Sequence, residues 1–237
     1  MTNSELITRL RAASQDTDSS RPERSATTLA QFLTDAQDLI NSMMELCRKA
    51  FTMTLVASTR SYSVDADFVA FVEERLRRKG GCVYYSTGNL EPTTPQELDQ
   101  DESGWRNASN GTPEKFFLET SDSSGTSVTQ IGLDTPPSAT FITNVPSLTY
   151  YGVKRPTAIA SNSNLPFDNN PIFQPLHRLL ILHAMFSMDL EDGKLAKPDA
   201  RESRWNTFLA EVEAAGELMP GNMKAGGGFK FDRKWRT

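Results

Sequence analysis

Cysteine is nearly absent from this chain of 237 residues, which has only Cys47 and Cys82. The two form no C-x-x-C and provide no disulfide framework, which excludes a small stapled fold and fits synthesis in a reducing cytoplasm. Histidine is as scarce, with His177 and His183 alone. Six residues apart on a helix, they point to different faces, and no H-E-x-x-H occurs, so no metal site is expected. Long apolar runs are missing too. No stretch approaches the roughly 20 residues that a membrane helix needs. The opening Met-Thr-Asn-Ser-Glu-Leu-Ile is polar and lacks the apolar core of a signal peptide. G-x-S-x-G, G-x-x-x-x-G-K-[ST] and G-x-G-x-x-G are all lacking, so no serine elbow, P-loop or dinucleotide fingerprint is available. An excess of positive charge is also lacking. A net charge of −5 argues against a protein that grips nucleic acid through its whole surface. The expectation is a protein without catalytic residues, cofactor or metal.

What is present is material for a large core and a clear change of pattern along the chain. A short helix is expected from Glu5 to Ala12, before a Ser/Asp/Thr/Arg-rich stretch over residues 12–27. Thr28 with Gln31 makes a capping-box pattern. Leu29, Phe32, Leu33, Ala36, Leu39, Ile40, Met43, Met44 and Cys47 then follow helical spacing, with Asp35, Gln37, Asp38 and Glu45 on the other side. That stripe reads as a helix packed on other helices. From Phe51 to Tyr62 the sequence is β-branched and alternating, which predicts a half-buried strand. Tyr62 to Phe68 predicts a turn onto a short helix. Its end, Arg75-Leu-Arg-Arg-Lys79 before Gly80-Gly81, is the favoured placement of cations at a helix C-terminus.

Further strands are expected at Cys82–Tyr85, Lys115–Glu119, Val128–Leu133, Ala139–Asn144 and Leu148–Lys154, with a hairpin turn at Asp122-Ser-Ser-Gly125. Between them, Ser86 to Glu102 reads as a polar segment. The carboxylates Asp99, Asp101 and Glu102 read as a solvated loop, since nothing beside them supports a catalytic pair. Residues 156–175 read as a long Pro/Asn/Ser loop. Leu176 to Met188 is apolar nearly all round, which predicts a central helix. A last helix follows Pro198, with Trp205, Phe208, Leu209 and Val212 on one face. The fold class expected is α+β: a helical bundle from the N- and C-terminal helices (1–50 and 172–218), an inserted antiparallel β-rich domain (51–171), and an extended C-terminal arm (219–237).

Two segments carry the functional expectation. The first is a corner, an acidic leader running into Trp105-Arg106-Asn107, then Gly111-Thr-Pro113, then Phe116-Phe-Leu118. Gly111 can take positive φ, and Pro113 fixes its own φ and pushes Thr112 to an extended conformation. Trp105 brings a large apolar body and one N–H that wants a partner. The second is the arm, where Phe229, Phe231 and Trp235 are interleaved with Lys230, Arg233, Lys234 and Arg236 behind a Gly226-Gly-Gly linker. It reads as an arm that orders on docking to a partner protein, with single-stranded nucleic acid or an unstructured end as the alternatives.

With these pieces in order, the chain resembles the bacteriophage head-to-tail adaptor family, also called connectors or tail accessory factors. The corner is the most specific piece. Ile131-Gly132-Leu133 with a following proline resembles that family's strand end, and Leu176 to Gly193 with Ala200 to Ala214 resembles its final helical pair. The resemblance implies a structural virion protein of the neck, made in the host cytoplasm. It implies a homo-oligomeric ring, typically of about twelve subunits, that connects the portal to a tail nozzle or hub and lets double-stranded DNA pass. It also implies that the aromatic–basic arm docks on the portal protein. An acidic wall suits such a conduit, because it does not neutralise phosphates and lets the duplex slide. Two other classes remain open on the residues alone. A carbohydrate-binding or carbohydrate-cleaving tail module would explain the Ser/Thr/Asn-rich strands and the acidic loop. A nucleic-acid-binding protein would explain Arg75–Lys79 and the arm.

Overall fold

Two side chains start the first helix. Thr2 Oγ1 accepts the Glu5 N–H at 3.2 Å, and Glu5 Oε2 accepts the Thr2 N–H at 2.8 Å, a reciprocal capping box that opens α1 (Asn3–Ala13). The computed structural model of the protein, in which this is seen, describes residues 1–15, 23–72, 82–86, 88–101, 104–123, 126–195 and 197–217. Helix α2 (Ala26–Met44) begins on Ser25, whose Oγ accepts the Thr28 N–H at 3.1 Å. The capping box expected at Thr28 and Gln31 is therefore displaced by one turn. Thr28 already stands inside the helix, and Gln31 reaches forward to Asp35 at 2.8 Å. An exposed serine three residues earlier satisfies the same orphan N–H groups, and sequence spacing does not rank the two caps.

The protein is a mixed α and β structure that divides into two units, Met1–Cys47 with the described part of Arg155–Thr237, and Arg48–Lys154. In the first, one apolar core joins Leu6 and Leu10 of α1, Leu29, Leu33 and Ile40 of α2, and residues of two later helices. The later pair are α5 (His177–Glu191), with Leu180, Ala184 and Met188 inward, and α6 (Pro198–Glu217), with Phe208 and Val212 inward. Helix α5 touches α1, α2 and α6, which is the central place its apolar circumference predicts.

The segment expected as a long loop over 156–175 is built into this core. Ile159, Phe167 and Phe173 are buried in it, and a 3₁₀ turn (Pro171–Leu176) leads into α5. Its backbone is held by side chains of α2. Gln37, fully buried, donates to the Thr157 carbonyl at 3.0 Å and accepts the Phe167 N–H at 2.7 Å, and Thr34 Oγ1 accepts the Ile159 N–H at 3.0 Å. These bonds let irregular backbone cross an apolar interior, where unpaired polar groups are costly. They also hold Phe167 and Asp168 in the left-handed region at φ 54° and 57°, a conformation that costs L-residues free energy.

The second unit is an eight-stranded sheet of order β1-β8-β4-β5-β6-β7-β2, with β3 also on β8. Its strands are β1 (Arg48–Thr54), β2 (Ser61–Ser63), β3 (Phe68–Phe71), β4 (Val83–Tyr85), β5 (Gly88–Pro92), β6 (Lys115–Ser123), β7 (Thr126–Leu133) and β8 (Ser147–Lys154). Strand β1 pairs with β8 from Arg48↔Val153 to Thr54↔Ser147, and β6 with β7 from Phe116↔Leu133 to Ser123↔Thr126. Phe51, Phe68, Phe71, Phe116 and Tyr150 pack their rings at centroid distances of 5.1–6.4 Å.

Several expectations change here. The single strand expected from Phe51 to Tyr62 is two, β1 and β2, which pair with different neighbours, so the alternation stops at Leu55. Phe68–Phe71, expected to lead into a short helix, is strand β3, and the end of that expected helix, Arg75–Lys79, lies outside the described residues. The polar segment after Tyr85 contains β5 and helix α3 (Pro95–Asp101). Ala139–Asn144, expected as a strand, is helix α4, capped by Ser138 Oγ on the Phe141 N–H at 3.1 Å. Its β-branched run misleads, because Thr143 bonds back to the Ala139 carbonyl and only Phe141 is buried. The sheet is also not purely antiparallel, since Glu91↔Lys115 and Pro92↔Phe116 make β5 and β6 parallel. Helix α3 and the turn after it carry the chain between those two strands.

Candidate functional site

The corner begins at a second capping box. Thr94 Oγ1 accepts the Glu97 N–H at 3.2 Å, and Glu97 Oε2 accepts the Thr94 N–H at 2.8 Å, which starts α3. Leu98 then points inward and packs with Trp105 and Phe117, while Asp99 points outward. Gly104, at φ 99°, turns the chain into a 3₁₀ turn (Trp105–Asn107). Trp105 is 7% exposed, and its ring meets Phe117 edge-on at 5.4 Å.

Asp99 gathers the polar groups of this turn. It accepts Trp105 Nε1–H at 2.8 Å and takes Arg106 through two nitrogens, Nε at 3.2 Å and Nη2 at 2.7 Å. The Trp105 N–H first, and then the Arg106 hydrogen bonds and charge, hold the Asp99 carboxyl below the usual carboxylate range. From 45 residues earlier, Arg60 donates Nη2–H to the Trp105 carbonyl at 2.7 Å and Nη1–H to the Arg106 carbonyl at 2.8 Å. Both guanidinium carbons lie near the indole, at 5.1 Å for Arg60 and 5.0 Å for Arg106.

The second half of the corner is fixed by backbone. Gly111 donates to the Pro136 carbonyl at 2.9 Å and accepts the Ser138 N–H at 2.8 Å. Its φ is not positive, so the freedom that glycine offers is not used there, and the left-handed glycine of the corner is Gly104. Glycine at 111 serves close approach instead, since a Cβ there would lie 3.1 Å from Thr135 Cγ2. Pro113 is buried, and the next two N–H groups, of Glu114 and Lys115, both donate to the buried Asp134 Oδ1 at 3.1 and 3.0 Å. Gly132 of the Ile-Gly-Leu strand end lies under the Phe117 ring, where a Cβ would come within 2.3 Å. Asn107 is exposed and contributes its backbone N–H to the Gly104 carbonyl at 2.9 Å.

The structure thus places Trp105 and Arg106 together on Asp99, and Gly111 on the 136–138 segment. It adds Arg60 and Asp134, which sequence reading missed. Asp99 is an anchor rather than a solvated loop residue. The Thr94-x-x-Glu97 cap was a legible sign that Asp99 sits on a helix, whereas nothing local announces Arg60. The arm residues Phe229, Lys230, Phe231, Arg233, Trp235 and Arg236 lie outside the described residues.

Elsewhere, a cavity of about 270 Å³ lies beside the C-terminal end of α5, lined by Glu23, Arg24, Asp189, Asp192, Lys194 and Arg204 among others. Four of these charges pair with one another. Arg24 bridges to Asp192, and Lys194 lies 3.1 Å from Asp192 and 3.7 Å from Asp189. No cluster of three metal-ligating side chains occurs among the described residues. His177 is buried against the Met1 amine, 2.9 Å from Nδ1, and burial followed by that charge lowers its pKa to about 4. His183 lies among aromatic rings, with its pKa lowered by burial.

A family model described as SU10 adaptor protein matches residues 1–225. The chain belongs to the SU10 adaptor protein family. It is therefore a phage adaptor, and an adaptor family, a structural and non-enzymatic kind of protein, implies a virion component that interacts with other virion proteins. The match spans the corner and all four long helices, α1, α2, α5 and α6, and it stops before Phe229. No curated protein matches the chain. No helix among the described residues of this SU10 adaptor is long and apolar enough to cross a membrane.

Proposed function

We propose that this adaptor assembles into a closed ring of about twelve copies that joins the portal to the tail nozzle or hub and lines the path of the DNA. The helices at the two ends of the chain form the bundle of the ring wall, and the inserted β unit meets neighbouring subunits and the tail. The segment 219–237 extends to the portal, with Phe229, Phe231 and Trp235 as anchors and the cations between them. The neck of the virion is then its place, and assembly geometry, not bond chemistry, is its work.

The family match over 1–225 carries this reading. The net charge of −5 supports it, since a wall that leaves phosphates with their counterions does not hold passing DNA. In this reading Trp105, Arg106, Asn107, Gly111 and Pro113 set the angle at which the chain enters β6, so that the β unit presents one fixed surface to its neighbours. The test mixes the protein with portal complexes and images the product by negative stain, beside a variant lacking Gly226 to Thr237. The expected result is a ring on the portal for the full chain and a folded protein that no longer attaches for the deletion. Attachment retained by the deletion in a pull-down would remove the arm from the account.

A further inference from the structure

The helical unit shows an aromatic patch that its own core covers only in part. His183 and Phe186 of α5 and Trp205 and Phe208 of α6 form a run of ring contacts with centroids 5.2–6.2 Å apart. Phe208 is buried, but the other three are partly exposed, as is Leu209 one turn past Trp205. Nδ1 of His183 is buried with no hydrogen-bond partner. Carboxylates border the patch. Asp35 of α2 is close enough to act electrostatically on His183. Glu202 and Glu213 are exposed on α6, one turn before Trp205 and one turn after Leu209, and Arg201 and Arg204 are the exposed cations beside Glu202.

We propose that residues 218–237 of the same chain dock on this patch in the free subunit, setting Phe229, Phe231 and Trp235 against the partly exposed rings and the intervening cations against Asp35, Glu202 and Glu213. Charge argues for this occupant. Residues 218–237 hold five of the 25 Lys and Arg and one of the 30 Asp and Glu, so they carry +4 and the rest of the chain −9. Reach argues for it as well. Trp205 lies twelve residues before Glu217 on α6, about 18 Å of helix. The twelve residues from Leu218 to Phe229 span up to about 40 Å when extended and, as a glycine-rich chain, about 20 Å on average. The segment therefore returns to Trp205 without stretching. A tether of that length gives an effective concentration of the order of millimolar, enough to populate a contact too weak to hold two separate molecules. Cation–π contacts with a partly exposed Trp suit such a weak, replaceable contact.

The consequence is a holding site: the segment rests on its own subunit until a larger assembly surface takes it. This rests on the reading of the segment as a portal-docking arm, and the experiment separates the two. Acrylamide quenching of Trp205 is measured in the full chain carrying Trp105→Phe and Trp235→Phe, so that Trp205 is the sole indole. The same chain is then measured with Lys230→Glu, Arg233→Glu, Lys234→Glu and Arg236→Glu. Charge reversal is expected to raise the quenching constant about twofold, as release of a half-populated contact would. Raising salt to about 0.5 M should do the same in the unreversed chain. Equal constants with and without reversal would overturn the proposal. So would a constant that varies over a roughly 100-fold range of protein concentration, because the segment would then be reaching a neighbouring copy. If Trp105→Phe unfolds the β unit, ¹⁹F resonances of 5-fluorotryptophan in the otherwise unsubstituted full chain report on Trp205 in its place. A pull-down on portal complexes gives the independent reading. Quenching unchanged with portal binding lost rejects the holding site and keeps the arm. Quenching raised with portal binding intact does the reverse.

Discussion

The helical unit and the β unit face the same difficulty, an irregular segment whose backbone must be satisfied, and meet it with opposite chemistry. In the helical unit the segment after Arg155 crosses an aliphatic core, and a neutral, fully buried amide, Gln37, holds it at the Thr157 carbonyl and the Phe167 N–H. In the β unit the turn after Gly104 runs along the rim, and charged groups hold it, Asp99 on Arg106 and Trp105, and Arg60 on two carbonyls. The side chains of Arg106 and Asp99 are 60% and 50% exposed. An exposed ion pair contributes little to stability and chiefly selects geometry. A buried amide has no water to replace it, so its bonds are costly to lose. The rim can thus be specific without being strong, while the interior must be satisfied throughout.

Substitutions can break this contrast. The largest effect is expected from Trp105→Ala, which empties the Leu98–Phe117 cluster and removes both the indole N–H on Asp99 and the ring beside Arg60. It should destabilise the subunit by about 3 kcal/mol or more, read as a lower urea midpoint, and an unchanged midpoint would contradict it. If the two cores unfold in separate transitions, only the one that reports on the β unit should move. Gln37→Leu keeps the volume but leaves the buried Phe167 N–H without a partner and takes a donor from the Thr157 carbonyl, at about 2 kcal/mol. A loss near zero would show that the interior segment tolerates water after all.

Acid comes next. His177 has a folded-state pKa of about 4 against an ordinary 6.5, so its neutral form is the folded one. Its contribution is complete above pH 6.5 and is lost as pH falls from there towards 4. Thermal melts across that range should show the decline, and His177→Gln should flatten it. The smallest effect is Ser25→Ala, which removes the cap of α2 at about 1 kcal/mol. A drop confined to the helical unit in hydrogen exchange would sharpen the contrast between the units.

Local chemistry made much of this protein legible. The amphipathic stripe of α2, the apolar girth of α5, the alternation along β1 and the Phe116–Phe117 strand all follow from periods of 3.6 and 2 that neighbouring residues impose on one another. The corner was legible as a motif, because Trp105, Gly111 and Pro113 are unusual residues at short spacing, and that motif pointed to the phage adaptor family. Other features depended on groups distant in sequence. Arg60 meets Trp105 across 45 residues, and Gln37 meets Phe167 across 130. Ala139–Asn144 is a helix because a serine cap and an exposed flank outweigh its β-branched run, and β6 joins β5 in parallel because α3 carries the chain between them. Periodicity and capping act within a turn or two, so the sequence alone determined the long helices, several of the strands and the class of protein. Which polar group reaches which backbone atom depends on how packed elements converge, and only the tertiary structure decided that.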